Sequence, residues 1–174
     1  MILPVSSLEA YAPPARRNLL VSWIPTIAWL CLLAVFSSDV FSAEHTGSIL
    51  QKILQALFGE ISEQRFVLIH FLVRKSAHFC SYGMLSAFAF FSWRATFPAF
   101  KAWSVRWSSL ALLLTLVAAS GDEFHQSFVP SRTASPRDVL LDMVGAIFFQ
   151  IAIAIWLQSR GAMKFSAPQR RQSE

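Results

Sequence analysis

The chain has 174 residues, of which 55% are hydrophobic and only 14% charged, with a mean hydropathy of +0.48. An ordinary soluble domain is about 45–50% apolar and about 25% charged. Too few charges remain here to cover a water-facing surface, and disordered, collagen-like and disulfide-framework classes are excluded as well. The net charge of +5 and the pI of about 9.8 would suit nucleic acid on totals alone, but the positions of the charges assign them otherwise. Length allows one domain, and four spans of about 20 residues would fill roughly 80 positions.

Residues 1–18 hold three prolines and Arg16-Arg17 and read as an irregular cytoplasmic segment. The apolar run Leu19 to Phe36 follows, long enough to cross a bilayer with little tilt. It is long for the apolar part of a signal peptide, so it reads as a span rather than a cleaved leader, and Pro25 is expected to kink it. Cys31 and Cys80 lie in apolar runs without metal-ligand spacing and read as packing residues with no disulfide between them. Ile49, Leu50, Ile53, Leu54 and Leu57 then recur at helical spacing, with Gln51, Lys52 and Gln55 elsewhere. This is an amphipathic helix of about three turns, too short to span, suited to the interface and ended by Gly59.

The second span covers Ser76 to Trp93, with FVLIHFLVRK before it as a candidate extension. The third runs from Trp107 into GDEFHQSF, and the fourth from Val139 to Leu157. Trp93, Trp103, Trp107 and Trp156 sit near one set of span ends and read as interface anchors. Gly145, Ala146 and Ala152 would permit close helix contact. The expected fold is all-α, an integral membrane bundle of four transmembrane helices over residues 19–157, with the short amphipathic helix between the first two spans and a basic cytoplasmic tail over 158–174.

Orientation follows from Lys and Arg on each side. One side gathers Arg16, Arg17, Arg94, Lys101, Arg106, Arg160, Lys164, Arg170 and Arg171; the other holds the smaller set Lys52, Arg65, Arg74, Lys75, Arg132 and Arg137. The larger set marks the cytoplasm, which puts both termini inside in a multi-pass inner-membrane protein and leaves no need for nucleic acid.

Polar residues are not scattered along the spans. Arg74, His78 and Tyr82 recur every four residues on one helix face, with Lys75 beside them. Asp122, Glu123, His125 and Gln126 cluster at the end of the third span, and Asp138 and Asp142 lie a turn apart at the start of the fourth. The topology brings all three sets to the outer third of the membrane. Ser135-Pro136-Arg137-Asp138 fits a capping box, which gives Asp138 a local role that Asp142 lacks. His70 reads as a helix-surface or interface residue.

The stretches RKSAHFCSYGML and DEFHQSFVPSRTASPRDVLLDMVGA resemble the VanZ-like family, multi-pass membrane proteins named after a protein linked to glycopeptide-antibiotic (teicoplanin) resistance. The matching positions are Arg74, Lys75, His78, Phe79 and Tyr82, then Asp122, Glu123, His125, Gln126, Phe128, Pro130, Arg132, Asp138, Asp142 and Gly145. Ser81 stands where many members carry Glu. The resemblance covers residues 19–157 and implies a four-helix membrane domain at the cell envelope, without a mechanism.

Four uses of the cluster stay open. Arg74, Lys75 and Arg132 could pair with Asp122, Glu123 and Asp142 as a structural network. Arg74, Lys75, His78, Tyr82, Gln126, Arg132, Asp138 and Asp142 could bind the polar part of a lipid-linked envelope precursor or lipopeptide presented by the bilayer. Asp122, His125 and His78 could hold a metal, with Glu123, or His125 paired to a carboxylate, as general base of an enzyme. Proton-coupled transport would need an oligomer or a partner. The sequence names no cofactor.

Overall fold

The computed structural model describes residues 19–38, 43–97, 103–129 and 135–165. Every regular element among them is a helix: α1 (Leu19–Phe36), α2 (Ala43–Phe58), α3 (Glu63–Thr96), α4 (Val105–Gln126) and α5 (Pro136–Phe165). The N-terminal segment 1–18, Pro130, Arg132, Lys101 and the tail beyond 165 lie outside the described residues.

By length and composition, α1 and the Pro136–Arg160 part of α5 are able to cross a membrane. Helices α3 and α4, read from sequence as equal spans, do not reach that mark. Their inward faces carry buried Tyr82, Ser86, Ser92, Ser108 and Thr115, and their ends carry the polar cluster, which together dilute the apolar content. The upstream stretch before Ser76 is helical, so α3 has 34 residues and a length of about 51 Å at 1.5 Å per residue. The amphipathic α2 folds back beside its first turns. Gly59 makes the reversal with φ of 75°, a left-handed conformation that glycine adopts without a Cβ clash, and its N–H closes on the Gln55 carbonyl at 2.9 Å.

α3 is the central helix and packs against α5, α4, α1 and α2. Its contact with α5 is a reciprocal notch. A Cβ on Gly145 would stand 2.2 Å from the Phe79 carbonyl oxygen, and a Cβ on Gly83 would stand 2.4 Å from the Phe149 ring. Phe79 and Gly83 are one turn apart on α3, as are Gly145 and Phe149 on α5, so each helix supplies one ring and one gap. Close backbone approach at small residues is how helices gain dispersion contacts where lipid offers no hydrophobic drive. Gly145 therefore has the packing role expected from sequence.

α1 is joined to α3 by polar bonds. Thr26 Oγ1 meets Ser92 Oγ at 2.8 Å, Ser92 Oγ meets the Ser22 carbonyl at 2.8 Å, Trp23 Nε1 donates to Thr96 Oγ1 at 3.0 Å, and Trp29 Nε1 donates to the Ser81 carbonyl at 2.9 Å. A second buried set ties α3, α4 and α5: Gln150 Nε2 donates to Ser86 and its Oε1 accepts from Ser108.

Expectations about Trp107 and the two cysteines change. Trp107 is not an exposed anchor; it is 1% exposed, packs edge-on to Phe90 and donates Nε1 to the Phe97 carbonyl. Trp156 is exposed, with Arg160 over its ring. Cys31 and Cys80 are exposed free thiols rather than packing residues, because each falls on the outward face of its helix.

Candidate functional site

Helix α3 brings Lys75, His78 and Tyr82 to one end of the bundle, where α4 ends and α5 begins. Two ion pairs cross from α3 to α5, Lys75 to Asp138 and His78 Nδ1 to Asp142 Oδ1 at 3.3 Å. The second is close enough for charge attraction but not aligned as a hydrogen bond, and both Asp142 carboxylate oxygens are buried without a hydrogen-bond partner. Asp142 is 1% exposed, and desolvating a carboxylate is costly unless it is compensated. His78 is its compensation. The His78 ring stacks over Tyr82, with centroids 6.2 Å apart. His78 also lines the cavity described below.

The capping box is built differently from its sequence reading. Ser135 Oγ accepts from the Arg137 N–H at 3.3 Å, as an N-cap should. The return bond to the Ser135 N–H does not come from Asp138, whose carboxylate is held by Lys75. It comes from Glu123 Oε2 on α4, at 2.7 Å. Glu123 thus ties the end of α4 to the start of α5, while its Oε1 stays buried and unpartnered. A carboxylate there also complements the positive end of the α5 dipole.

Asp122 accepts from Gln126 Nε2 at 3.0 Å, one turn along α4. His125 is exposed and its Nδ1 lies 3.5 Å from Ser37 Oγ at the end of α1. The three candidate ligands Asp122, His125 and His78 therefore turn to three different partners. Among the described residues no three His, Cys, Asp or Glu side chains group to hold a metal ion. Arg137 is exposed and Arg74 is half-buried, and neither has an acid within ion-pair distance among the described residues.

A cavity of about 300 Å³ opens between α1, α2, α3 and α4. Leu33, Phe36, Leu50, Val73 and Ala77 contribute apolar groups to its lining, and Arg74, His78, Tyr82, Asp122 and Gln126 polar ones. Lys75, Glu123, His125, Asp138 and Asp142 are outside its lining. His70 belongs to it, stacked on Phe66 at 5.8 Å and 3.5 Å from Thr46 Oγ1 on α2. The sequence did carry the signal for it, since His70, Arg74, His78 and Tyr82 continue one spacing of four along α3. The contributions of α1 and α2 had no such mark.

No curated protein and no solved structure matches the chain. Residues 22–157, which take in all five helices except their outermost ends, match the model of the VanZ/LLP1 family. With that match spanning most of its length, on top of the two motif stretches that carry the cluster, the chain belongs to the VanZ/LLP1 family.

Proposed function

We propose that this is a four-span protein of the bacterial inner membrane, crossing with α1, α3, α4 and α5 and with both termini in the cytoplasm. In this reading the cavity takes the polar head of a lipid-linked or lipopeptide amphiphile of the cell envelope, and the family's link to glycopeptide-antibiotic resistance suggests where its effect is felt. The observation that carries the binding reading is the cavity itself, whose lining combines apolar side chains with Arg74, His78, Tyr82, Asp122 and Gln126. That combination suits a molecule with a tail and a head.

The membrane reading rests on what faces outward. Only Thr26 of α1 is buried, whereas an apolar core helix of a soluble protein would be mostly enclosed. Leu113, Leu116 and Val117 of α4 and Leu140, Val144, Ile147, Phe148 and Ile151 of α5 are exposed too. A soluble surface rarely carries contiguous apolar area on this scale. The exposed row Ile49, Ile53 and Leu57 on α2 suits a helix lying in the interface.

The test is extraction of the full-length protein in mild detergent, followed by mass spectrometry of the amphiphiles that stay bound. Wild type should retain a lipid-linked or lipopeptide species that Arg74→Glu loses; identical extracts from both would refute the site. A reporter fused after Glu174 should report cytoplasm, and a periplasmic signal would refute the topology.

A second reading, a membrane-embedded enzyme acting on the same amphiphile, is favoured by the His78–Asp142 pair, an imidazole oriented by a buried carboxylate. It predicts turnover of the retained species that His78→Gln abolishes while retention persists.

A further inference from the structure

Two charges of opposite sign line the cavity without neutralising each other. Arg74 on α3 has no acid within ion-pair distance among the described residues, and Asp122 on α4 has no cation. Asp122 is met only by neutral groups, the Gln126 amide at 3.0 Å and the Tyr82 hydroxyl. The other acids of the cluster are already engaged: Asp138 with Lys75, Asp142 with His78 and Glu123 with the Ser135 N–H. If the cluster served only to lock helices together, the arginine and the spare carboxylate sharing one half-buried cavity would be the natural pair to close it. They are instead carried on separate helices without pairing, with the apolar Leu33, Leu50 and Val73 lining the same space.

From this separation we infer that the cavity is built for a zwitterionic amphiphile, one whose head carries a phosphate and a primary ammonium. The inference rests on the amphiphile reading above and sharpens it to a headgroup class. Arg74 offers a fork of N–H donors to phosphate oxygens. Asp122 offers an acceptor to an ammonium, and Gln126 holds that carboxylate in place. The acyl chains lie along the apolar part of the lining. An anionic head with hydroxyls would satisfy Arg74 and offer Asp122 only a neutral O–H donor without the compensating charge. A quaternary ammonium would bring the charge but no N–H to donate.

The experiment is native mass spectrometry of the full-length protein in delipidating detergent, titrated separately with dioleoyl phosphatidylethanolamine, phosphatidylglycerol and phosphatidylcholine. One charge-assisted hydrogen bond corresponds to about tenfold in affinity. Phosphatidylethanolamine should therefore be retained about tenfold better than either competitor. Asp122→Asn should bring it down to the phosphatidylglycerol level while leaving phosphatidylglycerol unchanged, and Arg74→Gln should weaken all three. Equal retention of the three lipids by wild type would overturn the zwitterion inference and leave the amphiphile reading standing. Retention of none would overturn both. The headgroup comparison is made on wild-type protein, so it holds even if a variant fails to fold.

Discussion

Substituting alanine for Gly145 tests the contact on which the bundle depends. An ideal Cβ there lies 2.2 Å from the Phe79 carbonyl oxygen, 2.9 Å from its carbon and 3.1 Å from its Cα. These are backbone atoms, so no side chain can swing aside, and relief requires α3 and α5 to part by about 1 Å to restore ordinary packing distance. Phe79 adjoins His78, so the same displacement stretches the 3.3 Å approach of His78 to Asp142. Overpacking costs about 1–3 kcal/mol where side chains adjust, and a backbone clash belongs at the upper end. This opposes the gain of about 1 kcal/mol that alanine brings over glycine inside a helix. Gly121 supplies the control, since a Cβ there meets nothing within 4 Å. Thermal unfolding of the purified protein in one detergent should show Gly145→Ala melting well below wild type and Gly121→Ala at or above it. A Gly145→Ala protein as stable as wild type would refute the notch as described.

Other substitutions report on the buried charges and on the outward faces. His78→Ala leaves the Asp142 carboxylate buried and uncompensated, at a cost of about 3–5 kcal/mol; the double variant His78→Ala/Asp142→Ala should recover part of that loss in the same melt, and a strictly additive loss would deny the pairing. Glu123→Gln keeps an acceptor for the Ser135 N–H and should accumulate nearly as wild type, whereas Glu123→Ala should lose about 1–3 kcal/mol; equal behaviour of the two would show that the tie between α4 and α5 is idle. Cys31 and Cys80 should react readily with a thiol reagent in denaturant and resist a charged, water-soluble maleimide in intact membranes. Rapid labelling there would mean that their helix faces meet water rather than lipid.

The extent of α1 was legible because a run of apolar residues with no partner requirement is decided locally, and the α2 stop at Gly59 was legible for the same reason. The face shared by Arg74, His78 and Tyr82 followed from helical geometry alone. What escaped depends on which helix lies opposite. Asp138 looked like the return half of a capping box, yet Lys75 takes it and Glu123 supplies the missing bond from 12 residues upstream. Trp107 looked like an anchor because tryptophan favours interfaces, yet Phe90 and the Phe97 carbonyl enclose it. Asp122, His125 and His78 looked like a ligand set because two of them are three residues apart, but Gln126, Ser37 and Asp142 each draw one away. Spacing fixes a residue's direction on its own helix and is silent about its neighbour's.

The pairing of α3 with α5 also bears on how the chain is made. Lys75 finds Asp138, 63 residues downstream, and His78 depends on a helix that is synthesised last. At about 5–20 residues per second, translation leaves α3 with these polar groups unmatched for roughly 3 to 13 seconds. On the four-span reading, the helix would not settle alone in hydrocarbon during that interval and would be sheltered by the insertion machinery or stay near the aqueous boundary. Release of the finished protein is thereby coupled to arrival of its final helix, so a chain truncated before Asp142 would be recognisable as incomplete.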